Sequence, residues 1–321
     1  MKAILILSFF IFSGFVFSQN TVRYSQFNFA KSLYNPAALA SDAKFTADLL
    51  YRNQWAGVDG APSTVGFNTA FEVTNEMAVG INFYTDRIGL NQTTSFSAQY
   101  AYRLVFDTRK YLAFGIGIGA DNLSYGYANA TTGTANDPAF SQSYSKFNLN
   151  GSFGMYYRSS NFYIGASLPQ LFQNKVGYGK QFSPPYWHYM LVSGYFFEVS
   201  DNFVVNPNIQ LKGTANAPIQ GDLLLRGITN NLGFSIGYRS ENSLIAGIDY
   251  TISGRVRIGY AFNHDVGSLA RTKGASHEVY LGLGLPYYFN RDSFDSRKYV
   301  GRKGGHKTDF RRSYKRYNRR N

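Results

Sequence analysis

From Phe45 onward the chain alternates apolar residues with polar residues or glycine, and it does so in fourteen short segments. They begin near Phe45, Thr64, Met77, Thr93, Lys110, Lys146, Asn161, Trp187, Asn202, Ile219, Asn231, Ser243, Arg255 and Ser276. In one of them Phe96, Ala98, Tyr100, Tyr102 and Leu104 alternate with Ser95, Ser97, Gln99, Ala101 and Arg103. A period of two puts successive side chains on opposite faces of a strand. Segments of about ten residues are the length that crosses an outer membrane when tilted. The expected fold is therefore all-β: a transmembrane antiparallel β-barrel of about 14 strands.

The connections support this reading. Numbered from one, the even connections are short, as at Ser159-Ser160, Ser200-Asp201 and Ser253-Gly254. Several odd ones are long: 56–63, 122–145, 169–186 and 264–275. Outer-membrane barrels have short periplasmic turns and longer outer loops, and an even strand count returns both ends to one side. The parity predicts a periplasmic N-terminus. A soluble β-sandwich also alternates, but it has no reason to alternate its loop lengths over fourteen strands. Composition agrees with a barrel: 28 Phe, 26 Tyr and 32 Gly stand beside only 16% charged residues.

The two ends differ from the body. Lys2 followed by the apolar stretch 3–17 reads as a signal peptide over 1–18. Residues 19–44 read as a periplasmic N-terminal segment that plugs or braces the lumen, and 45–290 as the barrel. The net charge of +13 is concentrated at the other end. Arg297, Lys298, Arg302, Lys303, Lys307, Arg311, Arg312, Lys315, Arg316, Arg319 and Arg320 face one acid there, Asp309. With few apolar residues, 291–321 is expected to be a disordered, basic periplasmic tail. Basic residues interleaved with Tyr also suit single-stranded nucleic acid. The export signal argues against nucleic acid, so the expected role is electrostatic docking on a partner.

No catalytic set emerges. His188, His264, His277 and His306 lack metal-ligand spacing, there is no GxSxG elbow, and TANDP at 134–138 reads as a turn. Cysteine is absent, which removes thiolate chemistry. We expect no enzyme activity, no cofactor and no metal; a surface lipase is the enzymatic alternative. Arg103, Arg239, Arg255 and Arg257 fall on the polar face, where they are expected to pair with Asp48, Glu72, Asp222 and Asp249 and fill a closed barrel.

Two phrases carry a family resemblance. YSQFNFAKSLYNPAALAS at 24–41 contains Asn35-Pro36. YRNQWAGVDGAPST at 51–64 contains Tyr51, Arg52, Asn53, Gln54, Trp55, Asp59, Gly60 and Pro62. Together with NDPAF at 136–140, and NAPIQGDLLLR, LGFSIGYRS, RVRIGYAF and SHEVYLGL further on, they resemble the PorP/SprF family of the type IX secretion system. The basic tail departs from the usual family ending. The resemblance implies an outer-membrane barrel without enzyme activity or cofactor. It would support secretion and surface attachment of large cargo such as gliding adhesins. Its partners would be outer-membrane lipids, exported cargo, and the periplasmic lipoprotein ring and motor proteins. The alternative is a passive outer-membrane transport channel for small or apolar solutes.

Overall fold

A computed structural model describes residues 23–107, 110–129, 142–172, 176–178, 181–183, 187–214, 217–240, 242–266 and 274–285. The signal peptide, TANDP and the tail from Arg297 lie outside the described residues.

The first strands are β1 (Phe45–Asn53), β2 (Ser63–Glu72), β3 (Met77–Ile88), β4 (Asn91–Asp107), β5 (Lys110–Tyr125), β6 (Tyr144–Arg158) and β7 (Phe162–Leu168). A small hairpin of β8 (Val176–Tyr178) and β9 (Gln181–Ser183) follows. The wall resumes with β10 (His188–Tyr195), continued by β11 (Phe197–Ser200), then β12 (Phe203–Thr214) and β13 (Gln220–Thr229). It ends with β14 (Leu232–Arg239), β15 (Ser243–Ile252), β16 (Val256–Asp265) and β17 (Ser276–Leu285). Each wall strand pairs antiparallel with its sequence neighbour, and β1 pairs with β17, so no edge is left open. Counting β10 and β11 as one wall position, the described residues form a closed 14-stranded barrel.

The alternation read from the sequence separates outside from inside. Phe96, Tyr100, Tyr102 and Leu104 are exposed on the outer surface, while Ser95, Gln99, Ala101 and Arg103 are buried in the lumen. The same division holds on β14, where Phe234, Ile236 and Tyr238 face out. A soluble protein would not leave this continuous apolar belt uncovered, whereas lipid covers it. Ile236 sits mid-strand and is 67% exposed. Ile236→Arg is expected to destabilise the barrel by about 2–4 kcal/mol in bilayers. Urea unfolding in liposomes checks this, with the luminal change Ser235→Arg as comparison.

β4, β5 and β6 run 17, 16 and 15 residues, longer than a membrane crossing requires. The stretch expected as a loop at 122–145 is therefore partly strand: Asn122 pairs with Phe147 and Tyr125 with Tyr144. The alternation does not stop at the membrane boundary there, so the hairpin continues past it.

Candidate functional site: the luminal segment and its anchors

Residues 24–40 are buried throughout, and they are buried inside the barrel. The segment has two short 3₁₀ turns, Lys31–Leu33 and Pro36–Ala38. Asn35 caps the second turn, its side-chain oxygen accepting from Ala37 N at 2.9 Å, and Pro36 occupies the first turn position, where no amide hydrogen is needed. Asn35 Nδ2 reaches the wall and donates to the carbonyls of Met155 (3.1 Å) and Ala166 (3.4 Å).

Glycines make this approach possible. Gly115 and Gly154 face each other across β5 and β6. A Cβ on Gly115 would strike the Pro36–Ala37 backbone, and one on Gly154 the Asn35 side chain. The glycines of the inner face are thus a seat for Asn35-Pro36, the first phrase of the family resemblance.

Charged anchors hold the segment elsewhere. Glu278 on β17 accepts from Ser25 N and Gln26 N, each at 2.7 Å, and pairs with Arg52 on β1 at 3.2 Å. Arg52 also donates to Ser25 Oγ at 2.7 Å. Arg103 bonds Glu72 at 2.9 Å and donates to the carbonyls of Leu39 (2.7 Å) and Ala40 (2.8 Å). The guanidinium groups of Arg226 and Arg257 both stand over the Phe29 ring, 5.0 and 4.9 Å from its centre. Buried charges cost much free energy unless paired and hydrogen-bonded; each of these is paired, while Arg52 Nε, Arg103 Nε and Arg226 Nη1 have no hydrogen-bond partner among the described residues.

Lys31 in the segment bonds Asp42, two residues beyond it, at 2.7 Å, and Arg158 on β6 pairs with Asp42 at 3.2 Å. Burial lowers the Lys31 pKa, only partly offset by Asp42. Burial alone would raise Asp42, but Lys31 and Arg158 outweigh it and hold the carboxyl below its usual 3.8. The two signs differ. Asp42 contributes stability above its unfolded value and loses it as pH falls through the depressed folded value. Charged Lys31 costs stability, and the cost is relieved as pH rises toward 10.5. The unfolding midpoint of Asp42→Asn is therefore expected to lie below the parent's at neutral pH and to converge with it on acidification. A gap still undiminished at about pH 2 would contradict this assignment.

The second phrase surrounds the mouth of β1 and β2. Tyr51 points out to the lipid side and Arg52 points in. Asn53 pairs in register with Ser63 and His277, and Gln54 N donates to Pro62 O at 2.9 Å. Trp55 has φ of 51°, a left-handed conformation unusual for a bulky residue, fixed by bonds from its N to Ser276 Oγ and from Nε1 to Asp265 Oδ2, both 3.2 Å. Gly60, at φ 71°, accepts from Gly89 N at 2.9 Å, and Asp59 beside it is exposed. The phrase thus joins the plug anchor to the loop stitching at the barrel mouth.

The expected ion pairs are mostly present, with two corrections. Arg103 pairs with Glu72, Arg239 with Asp222 at 2.9 Å, and Arg257 approaches Asp249 at 3.8 Å. Arg255, however, lies exposed in the turn between β15 and β16, because strand pairing starts one residue later at Val256. Asp48 accepts from Tyr280 Oη at 2.6 Å in place of an arginine. From the sequence, Arg52 stands out only within the second family phrase, and neither Arg226 nor Glu278 is singled out as a luminal charge. Arg226 bonds Asp249 through Nε and Nη2, across the space left by Gly233. Only register reveals which of these luminal charges meet. Among the described histidines, His277 bonds the Tyr260 hydroxyl at 2.7 Å. Among the described residues no cluster of three or more His, Asp or Glu could hold a metal.

A closed barrel with a lipid-facing apolar belt and a lumen occupied by its own N-terminal segment defines an outer-membrane β-barrel protein. The chain belongs to the PorP/SprF family, the type IX secretion system membrane proteins, whose profile matches residues 16–283 and stops before the basic tail. No curated protein matches it in sequence. Solved barrels resemble it in outline. The CymD monoaromatic hydrocarbon channel is 12% identical, covering 81% of this chain and 94% of that one, with TM-score 0.47. The Ralstonia pickettii toluene transporter TbuX is 11% identical, covering 79% and 93%, with TM-score 0.48. The Acinetobacter baumannii outer membrane protein Omp33 is 8% identical, covering 76% and 98%, with TM-score 0.43.

Proposed function

We propose that the protein is a non-enzymatic outer-membrane component of the type IX secretion system that holds large exported proteins, gliding adhesins among them, at the cell surface. The family match over residues 16–283 carries this reading. A lumen crossed by residues 24–40 suits a platform better than a free channel. The cargo is held at the long-loop end, by 122–145 and 169–186, and both termini face the periplasm. There the tail from Arg297 to Arg320 docks on the ring and motor proteins through its charge. Deleting the gene is expected to strip a specific adhesin from the surface proteome while general secretion continues in part. Deleting 297–321 is expected to reduce recovery of ring proteins, in a salt-sensitive manner. Unchanged recovery at moderate salt rejects the docking role. A passive channel for small or apolar solutes is the competing reading, and steady conductance of the intact protein in planar bilayers would favour it.

A further inference from the structure

The arginines of the lumen are matched by carboxylates, but at the long-loop mouth one lysine is not. Lys212 lies two residues from the end of β12 and pairs in register with Gln220 at the start of β13. Asp222, two residues further along β13, pairs with Arg239 at the end of β14. All three side chains are buried on the inner face. Arg23, the first described residue, and Arg52, near the end of β1, both act electrostatically on Lys212. The charges acting most strongly on its ammonium are thus one carboxylate, Asp222, and three cations, Arg239, Arg23 and Arg52.

That carboxylate is already engaged. Asp222 accepts from Arg239 Nε and Nη2 through its two oxygens, both at 2.9 Å. Other acids of this mouth are held elsewhere. Glu278 takes the amides of Ser25 and Gln26, Asp265 takes Trp55 Nε1 at 3.2 Å, and Asp86 takes Thr64 Oγ1 at 2.5 Å. Among the described residues Lys212 makes no hydrogen bond and no ion pair, although it is only 5% exposed. Its nitrogen nevertheless keeps a face open to solvent, whereas Gln210 Oε1 and Thr214 Oγ1 on the same strand are sealed. A buried ammonium with three unused donors and like charges around it is costly, and an anion is its complement.

We propose that Lys212 anchors an anion site at the long-loop mouth, which takes a small oxyanion, a free carboxylate or inorganic phosphate. The ammonium supplies the hydrogen bonds, and Arg239 and Arg23 add favourable field while keeping the partners they hold. A lipid headgroup is not the source, because Lys212 points into the lumen and Ile209, on the opposite face of β12, meets the bilayer. A neutral solute gains nothing from the unmatched charge. The site does not depend on the secretion role proposed above, and it leaves the clamp at Glu278 as it is.

The test is urea unfolding of the full chain in micelles, at neutral pH and fixed ionic strength, with phosphate or acetate replacing chloride in rising concentration. The parent's midpoint is expected to climb and saturate with at least one of the two, because a ligand of the folded state stabilises it by mass action. The climb should vanish in Lys212→Met, which keeps the stem but drops the charge, and persist in Lys212→Arg. In chloride alone Lys212→Met should unfold no earlier than the parent, since an unpaired buried charge has been removed. Heat-modifiable gel migration first shows that each variant forms a barrel. The proposal is overturned if neither anion moves the parent's midpoint beyond its value in chloride, or if Lys212→Met responds as the parent does. It is equally overturned if Lys212→Met unfolds well before the parent in chloride, which would make the lysine a structural group.

Discussion

Glu278→Ala is expected to detach the start of the luminal segment and to cost about 3–5 kcal/mol of stability, the range for breaking a buried ion pair. Glu278 is fully buried, and its carboxylate accepts two backbone amides of the segment besides the Arg52 guanidinium. Alanine leaves all three donors inside the lumen without that acceptor. Arg52→Ala removes only one donor, and Glu278 keeps Ser25 N and Gln26 N. The two substitutions should therefore be unequal, although they disrupt the same pair. Equilibrium unfolding in micelles gives both costs, and protease access at 24–30 reports the segment directly. If Arg52→Ala proves as damaging as Glu278→Ala, Glu278 is merely a counter-ion, and its role as clamp for the segment is wrong.

The wall was legible because a barrel writes its two environments into alternate residues. All fourteen strand starts read from the sequence fall within two residues of the structure's, Thr93 against Asn91 and Lys146 against Tyr144 being the widest. The seat of Asn35-Pro36 was not legible. Gly115 and Gly154 are two among the many glycines of the alternating segments, and their function depends on a register between β5 and β6 that no local pattern encodes. The same holds for the ion pairs. Arg239 and Asp222 are direct cross-strand partners, but Arg226 reaches Asp249 two strands away, past Gly233. Arg255 was misplaced because a charge alternating with Val256 and Arg257 looks like strand until the turn at 253–255 is seen. The loop extension of β5 and β6 was missed for the opposite reason: strand pattern was read as loop where the expected membrane crossing had ended.

Removing residues 24–40 is expected to convert a silent barrel into a conducting one. Eight strands enclose a lumen that side chains alone can fill, whereas 16 to 18 leave an aqueous channel. At fourteen strands the wall side chains do not close the bore, and the described residues that cross it belong to this segment. The wall should survive the deletion. Its strand pairing and its lipid-facing belt are independent of the segment, and Arg239–Asp222, Arg226–Asp249 and Arg103–Glu72 all lie within the wall. The pore should discriminate poorly between ions. Among buried strand positions Arg52, Arg103, Arg158, Lys212, Arg226, Arg239 and Arg257 nearly balance Asp48, Glu72, Asp121, Asp222, Asp249 and Glu278, and selectivity needs a ring of one sign. Planar-bilayer recording of parent and deletion proteins, each first shown to migrate as a folded barrel, decides the matter. Frequent, weakly selective steps in the deletion protein alone establish the segment as the plug. A deletion protein that stays silent would mean that the mouth loops, stitched through Trp55 and Asp265, close the pore, leaving residues 24–40 as a brace for the wall.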